Sequence, residues 1–325
     1  MFRYIIRRLL FSIPVLLVAS ILVFLVVHLT QDPTKALALN PRIRPEDIAR
    51  LKHQLGLDKN GYQQYTSWLA HFVRGDWGTS LISQKSVWVD IRQALVNSII
   101  LGLFGVGISL IIGVGIGVYS ALHQYSWFDT VSTTGAFVGL SIPNFWFAVM
   151  LQIFFGVYLV RWFHLANPLL PVAGITTPGS SGFDLMDRIR HLILPAMVLA
   201  VQIIAIYSRY MRASMLEVMH SDYLRTARAK GLRERRVVTR HAMRNALIPI
   251  TTQLAIDIGL IASGLIITES IFQYPGMGAF FVTAMRNGDY PQILPWIMLT
   301  VFFVILFNLV ADIMYAILDP RIRYA

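Results

Sequence analysis

The 325 residues include no cysteine, so disulfides, thiolate nucleophiles and cysteine-held metals are excluded. None of the five lysines (Lys35, Lys52, Lys59, Lys85, Lys230) follows a glycine. A phosphate-binding P-loop needs Gly-Lys-Ser/Thr, so the chain cannot cradle ATP in that way. The eight histidines contain no His-Glu-x-x-His and no i,i+4 pair, which leaves a zinc protease unsupported. Charge is also scarce: 14% of residues are charged, against about a quarter in an average soluble domain.

What the chain has instead is apolar length. Hydrophobic residues make up 56% of the sequence, and the mean hydropathy is +0.60. They gather into six stretches, Leu9 to Leu29, Leu95 to Leu122, Val131 to Val160, Leu192 to Ser208, Leu247 to Phe272 and Ile293 to Leu318. At about 1.5 Å per residue a helix crosses the hydrocarbon layer with roughly 17–25 residues, so all six are long enough. The first stretch follows Arg3, Arg7 and Arg8 as a signal peptide would. Its apolar run exceeds a typical h-region and no small-residue cleavage site follows, so it reads as a retained helix. The expectation is an all-α polytopic membrane protein with six spans.

The formal charge of +11 is explained by topology. With six spans both termini share a side. Short segments on that side hold 15 Lys/Arg, ten of them in the 209–246 loop, against 4 in the short segments of the other side. The positive-inside bias therefore places both termini in the cytoplasm, and a nucleic-acid role is set aside. The chain divides into the N-terminus and first span (1–30), an extracytoplasmic insertion (31–94) and a core of five spans (95–325). In the insertion Pro45-Glu46-Asp47 marks a helix start, with Ile48, Leu51 and Leu55 on one face and Gly56 as the stop. Tyr62, Tyr65, Leu69 and Phe72 repeat that pattern. The insertion reads as a cap or assembly surface, with a substrate-handling surface as the alternative. In the second span Gly113 and Gly117 have the GxxxG spacing that lets helices approach closely.

Within the spans the carboxylates are Asp257, Glu269 and Asp312. Such groups are costly in a bilayer and face a partner or a cavity, so they are candidates for interhelical hydrogen bonds or interfaces, or for the transport pathway. A proton relay would need more of them at mid-depth, and no nucleophile with an adjacent base is evident. A secondary transporter and a membrane-embedded hydrolase are thus the weaker alternatives.

The densest polar feature is 221–236. Asp222 suits the start of a short helix, Leu224, Ala227 and Leu232 give it a sparse apolar face, and Gly231 suits a left-handed stop. A solvated positive-inside loop does not require a capped helix with small residues at Thr226, Ala227, Ala229 and Gly231. Those residues leave room for a partner surface.

Tyr-Leu-Arg-Thr-Ala-Arg-Ala-Lys-Gly-Leu (223–232), followed by Arg-His-Ala-Met-Arg-Asn-Ala-Leu-Ile-Pro (240–249), resembles the ATPase-docking loop of binding-protein-dependent ABC importer permeases of the dipeptide/oligopeptide/nickel group. The resemblance extends along the chain through Arg-Gly-Asp-Trp-Gly-Thr-Ser (74–80), Ser-Ile-Pro-Asn-Phe-Trp (141–146), Glu-Ser-Ile-Phe-Gln-Tyr-Pro-Gly-Met-Gly (269–278) and Asp-Tyr-Pro (289–291). Where the wider superfamily has Glu-Ala-Ala, this chain has Arg225, Thr226 and Ala227, the form seen in the peptide group. The short N-terminus and large insertion resemble the B-type subunit.

The resemblance implies a type I ABC importer permease fold without its own ATPase site. It also implies a homologous C-type permease partner, two ATP-binding subunits that hold ATP and Mg, an extracytoplasmic substrate-binding protein, and a peptide substrate. Nickel chelates or another small solute are the alternative cargo. The chain itself would hold no cofactor or metal and would sit in a prokaryotic cytoplasmic membrane. By resemblance Tyr223, Leu224, Arg225, Thr226, Ala227, Arg228, Lys230, Gly231 and Leu232 form the coupling helix and its stop.

Overall fold

Inside an apolar layer a helix satisfies every backbone group within its own segment. The computed structural model describes residues 2–30, 44, 46, 50, 53, 58–179 and 182–318. Among the described residues the regular secondary structure is helical, apart from one isolated bridge between Thr79 and Ser86. The helix expected to start at 45–47 and stop at Gly56 lies almost wholly outside the described residues.

Twelve helices are named here in chain order. They are α1 (Phe2–Thr30), α2 (Gly61–Val73), α3 (Val87–Leu122), α4 (Trp127–Ser141) and α5 (Asn144–Trp162). They continue with α6 (Leu185–Met219), α7 (Asp222–Ala229), α8 (Glu234–Ala246), α9 (Ile248–Ala262), α10 (Ile266–Ile271), α11 (Met277–Asn287) and α12 (Tyr290–Leu318). The apolar candidate spans are the greater parts of α1 and α12, the whole of α3, α5 and α6, and a bent sixth made by α8 and α9, which meet at 48°. With its arginines, α8 belongs to the basic loop and leads into α9.

Two expected spans are broken. Val131 to Val160 is divided because Ile142, just before Pro143, is extended (ψ 121°), as a residue ahead of proline prefers. Gln202 of α6 donates to the Ile142 carbonyl at 3.3 Å, so the break carries its own partner. The stretch Leu247 to Phe272 ends as a helix at Ala262. Gly264 then turns the chain at φ +100°, and α10 and the 272–276 turn lead back into α11. Conversely, the stretch Leu192 to Ser208 is the middle of a helix of 35 residues, Leu185–Met219. Hydropathy marked only its apolar middle and left out the buried Met211 and Met215.

Lipid supplies no hydrophobic drive between helices, so close van der Waals packing must hold the bundle. The most extensive contact joins α3 to α6. A Cβ on Gly113 would lie 2.8 Å from the Tyr207 Cβ, and one on Gly117 would lie 2.6 Å from the Met211 Cβ and from the Ser208 carbonyl. The glycines therefore let the two backbones touch, as the spacing predicted. At the far end from the basic loop, α2 caps α1 through stacked aromatics. Phe24 meets Tyr65 and Trp68, and the row continues through Phe72, Trp77 and Trp88. Tyr62 points away from this row and is exposed.

Candidate functional site

The basic loop is built as a firm platform. Helix α7 buries Leu224 and Ala227 in a core cluster with Tyr207, Met211 and Met215 of α6, Val237 and Ala242 of α8, and Ile250 of α9. A helix of eight residues has little stability of its own, so this packing is what holds it. The Tyr223 hydroxyl accepts a 2.8 Å hydrogen bond from Asn245. Arg228 reaches Glu234 with two bonds of 2.9 and 3.1 Å, and its guanidinium holds the Glu234 carboxyl below its ordinary value. Arg225, Thr226, Ala229, Lys230 and Gly231 face outward, while Leu232 is half-buried. Gly231 has φ +76° with open space around its Cβ position. One face of α7 is thus anchored in the bundle, and the other presents cations and small residues.

The three carboxylates occupy different surroundings. Glu269 is fully buried at the far end. It accepts from Ser98 Oγ (2.6 Å) and from the amides of Leu265 (3.1 Å), Gly278 (2.6 Å) and Ala279 (3.1 Å). Its charge therefore caps the start of α11, where exposed amides and the helix dipole favour an anion. Ser98 in turn accepts from the Met277 amide at 2.7 Å. Burial and Glu269 push the nearby Tyr274 hydroxyl up to about 12. Asp257 accepts from the Tyr207 hydroxyl (2.7 Å) and from Gln253 (2.8 Å), tying α9 to α6. Asp312 pairs with Arg8 at 2.7 Å, tying α12 to α1 at the basic end. All three therefore make bonds between or at the ends of helices, and the structure does not bring them together.

Sequence reasoning missed two polar joints. Asp129 is buried at the start of α4. It accepts the Arg212 fork at 2.6 and 2.7 Å, the Tyr125 amide at 2.9 Å, and the Ser120 hydroxyl. The available signal, Ser126-x-x-Asp129, reads as a capping box, which announces a helix start and not an ion pair. The second joint is at the far end, where buried Asp289 accepts from Ser80 Oγ. Both residues lie in motifs quoted above, yet their spacing of 209 positions gives no local cue.

Two family descriptions cover most of the chain. Residues 113–324 match "Binding-protein-dependent transport system inner membrane component", and residues 1–99 match the N-terminal part of the same component. The oligopeptide transport system permease protein AppB of Bacillus subtilis (strain 168) is 40% identical over 325 residues, covering 100% of both chains. The dipeptide transport system permease protein DppB of Alkalihalophilus pseudofirmus is 39% identical over 336 residues, again covering 100% of each. Its namesake in Escherichia coli (strain K12) is 35% identical over 338 residues, covering 100% of this chain and 99% of its own. With apolar helices, a firmly seated basic loop and matches along nearly its full length, the chain belongs to the family of binding-protein-dependent transport system inner membrane components.

Proposed function

We propose that this chain forms half of the translocation pathway of an ATP-driven importer for dipeptides and oligopeptides, and that it is energised in trans through α7. The observation that carries the reading is the two-sidedness of α7. Leu224 and Ala227 bury it in the bundle, while its outer face is cationic and sterically open at Gly231. A motor pressing on such a helix moves the bundle and not a loose loop. The full-length relatives named for peptide transport support the cargo.

On this reading the basic end is cytoplasmic, and two ATP-binding subunits there hold ATP and Mg. Their closure displaces α7 and tilts α6, switching access from outside to inside. A homologous permease completes the pathway, and a substrate-binding protein delivers peptide at the far end of the bundle. Asp257, Glu269 and Asp312 serve as structural ties, each already engaged by neighbours. The test is reconstitution in liposomes of the purified chain alone and of the chain with its permease, ATPase and binding-protein partners. Peptide uptake is expected only from the complete assembly with ATP. Transport by the chain alone would overturn the proposal.

A further inference from the structure

A force on α7 reaches the rest of the bundle only through the helices that α7 touches. Leu224 and Ala227 share a cluster with Tyr207, Met211 and Met215, so the first recipient is the basic end of α6. From α6 the motion passes to α3, whose backbone is in contact at Gly113 and Gly117. Helix α4 is placed differently. Its buried residues are Asp129, Ala136 and Gly139, so Asp129 alone is buried within its first two turns. The neighbouring aromatics, Tyr125 and Trp127, are 85% and 79% exposed and contribute no core there.

The basic end of α4 is therefore held chiefly by one carboxylate, beside a single ring contact in which Phe128 meets Tyr119 of α3 edge-on (centroids 4.7 Å). Asp129 gathers the Arg212 fork from α6, the Ser120 hydroxyl from α3 and the Tyr125 amide from the intervening turn. Arg212 stands seven residues before the end of α6 at Met219, about 10 Å along the helix axis, on the segment that runs into the loop. Buried ion pairs are poor sources of net stability, because desolvation offsets their attraction. What a two-pronged guanidinium–carboxylate contact does supply is fixed relative orientation.

Taking the coupling role of α7 from the proposed function, we infer that Asp129 and Arg212 are positioning residues for energy coupling. The pair locks the α3–α4 turn to α6, so that displacement of α7 carries α3, α4 and α6 as one body. Without the pair α6 moves while α4 lags, and ATP is consumed with less transport.

The experiment uses the complete transporter in liposomes and reads peptide taken up per ATP hydrolysed. Asp129→Asn, Arg212→Gln and the double variant are each expected to lower that ratio by about tenfold, with the double no worse than either single. Arg212→Lys, which keeps the charge but loses the fork, should lower it by a few-fold at the wild-type yield of complex. A merely structural role would reduce uptake and hydrolysis together with the amount of complex, leaving the ratio at its wild-type value and overturning the inference. Should the neutral variants fail to assemble, the Arg212→Lys ratio decides: a drop supports the pair, and a wild-type ratio refutes it. Absence of ATP-dependent uptake in the wild-type assembly would instead sink the proposed function itself.

Discussion

Ser80 Oγ donates a 2.5 Å hydrogen bond to Oδ2 of Asp289, joining residues 209 positions apart. The other carboxylate oxygen accepts from the Leu81 amide at 3.1 Å, while Ser80 Oγ accepts from the amides of Ile82 and Ser83. One buried carboxylate thus fastens the turn before α3 to the start of α12. Asp289→Ala leaves these donors unpaired, at an expected cost of about 1–3 kcal/mol. Limited proteolysis in detergent should then cut between residues 74 and 90 much faster than in the wild type. Asp289→Asn keeps one acceptor oxygen and should lie between the two. Equal cutting of all three proteins would remove the fastening role.

Gly276 is set by its neighbour and not by its turn. A Cβ there would lie 2.4 Å from Glu269 Cδ, so Gly276→Ala must displace a fully buried carboxylate from the amides it caps. Overpacking alone costs about 1–3 kcal/mol, and the lost hydrogen bonds add to it. The thermal midpoint of the purified protein should fall sharply. Gly107→Ala, with nothing within 4 Å of the added carbon, should be neutral or slightly stabilising, since alanine is favoured over glycine in a helix by about 1 kcal/mol.

Gly231→Trp places bulk on the outer face of the loop while leaving the anchored face of α7 intact. Insertion should be normal, with ATP hydrolysis uncoupled from peptide uptake in the assembled transporter. Part of any stability loss comes from forcing a side chain onto a φ of +76°, a strain of about 1–3 kcal/mol. Gly231→Ala separates the two effects, since it carries the strain without the bulk and should transport far better. Normal uptake by the tryptophan variant would end the docking assignment.

The Arg228–Glu234 pair should give the loop a dependence on acid. Glu234 has its folded-state pKa lowered below 4.5, first by the hydrogen bond from Arg228. The stabilisation is therefore complete above 4.5 and fades as the pH falls through the lower folded value. Both side chains are more than a third exposed, so solvent screening keeps the effect below about 1 kcal/mol. Amide hydrogen exchange in residues 230–236, corrected for intrinsic rates, should quicken as the pH drops through that range. Glu234→Gln should exchange faster at neutral pH and lose the acid dependence.

The architecture was largely legible because a bilayer imposes one length scale and one element. Four of the six apolar runs each fall within a single helix, and Gly113 and Gly117 gave the α3–α6 contact. Breaks were less visible: hydropathy stays high through Ile142 and Gly264, and the proline and glycine that mark them also occur inside continuous helices, as at Pro14, Pro195 and Gly113. The end of α7 at Gly231 was readable, since glycine stops leave a local mark. The ties made by Asp129 and Asp289 were not, because each depends on which distant helix end arrives beside it. Asp257, Glu269 and Asp312 stood out by their cost in an apolar layer, but only the fold shows that each is already occupied.

The aromatic row over the far end has an optical consequence. Trp77 and Trp88 lie 4.9 Å apart at 79°, and Trp68 joins the same row through Phe72. Indole rings held so closely and so steeply couple their electronic transitions. The folded cap thereby carries its own chromophore pair, whose near-ultraviolet circular dichroism reports the seating of the cap without any attached dye.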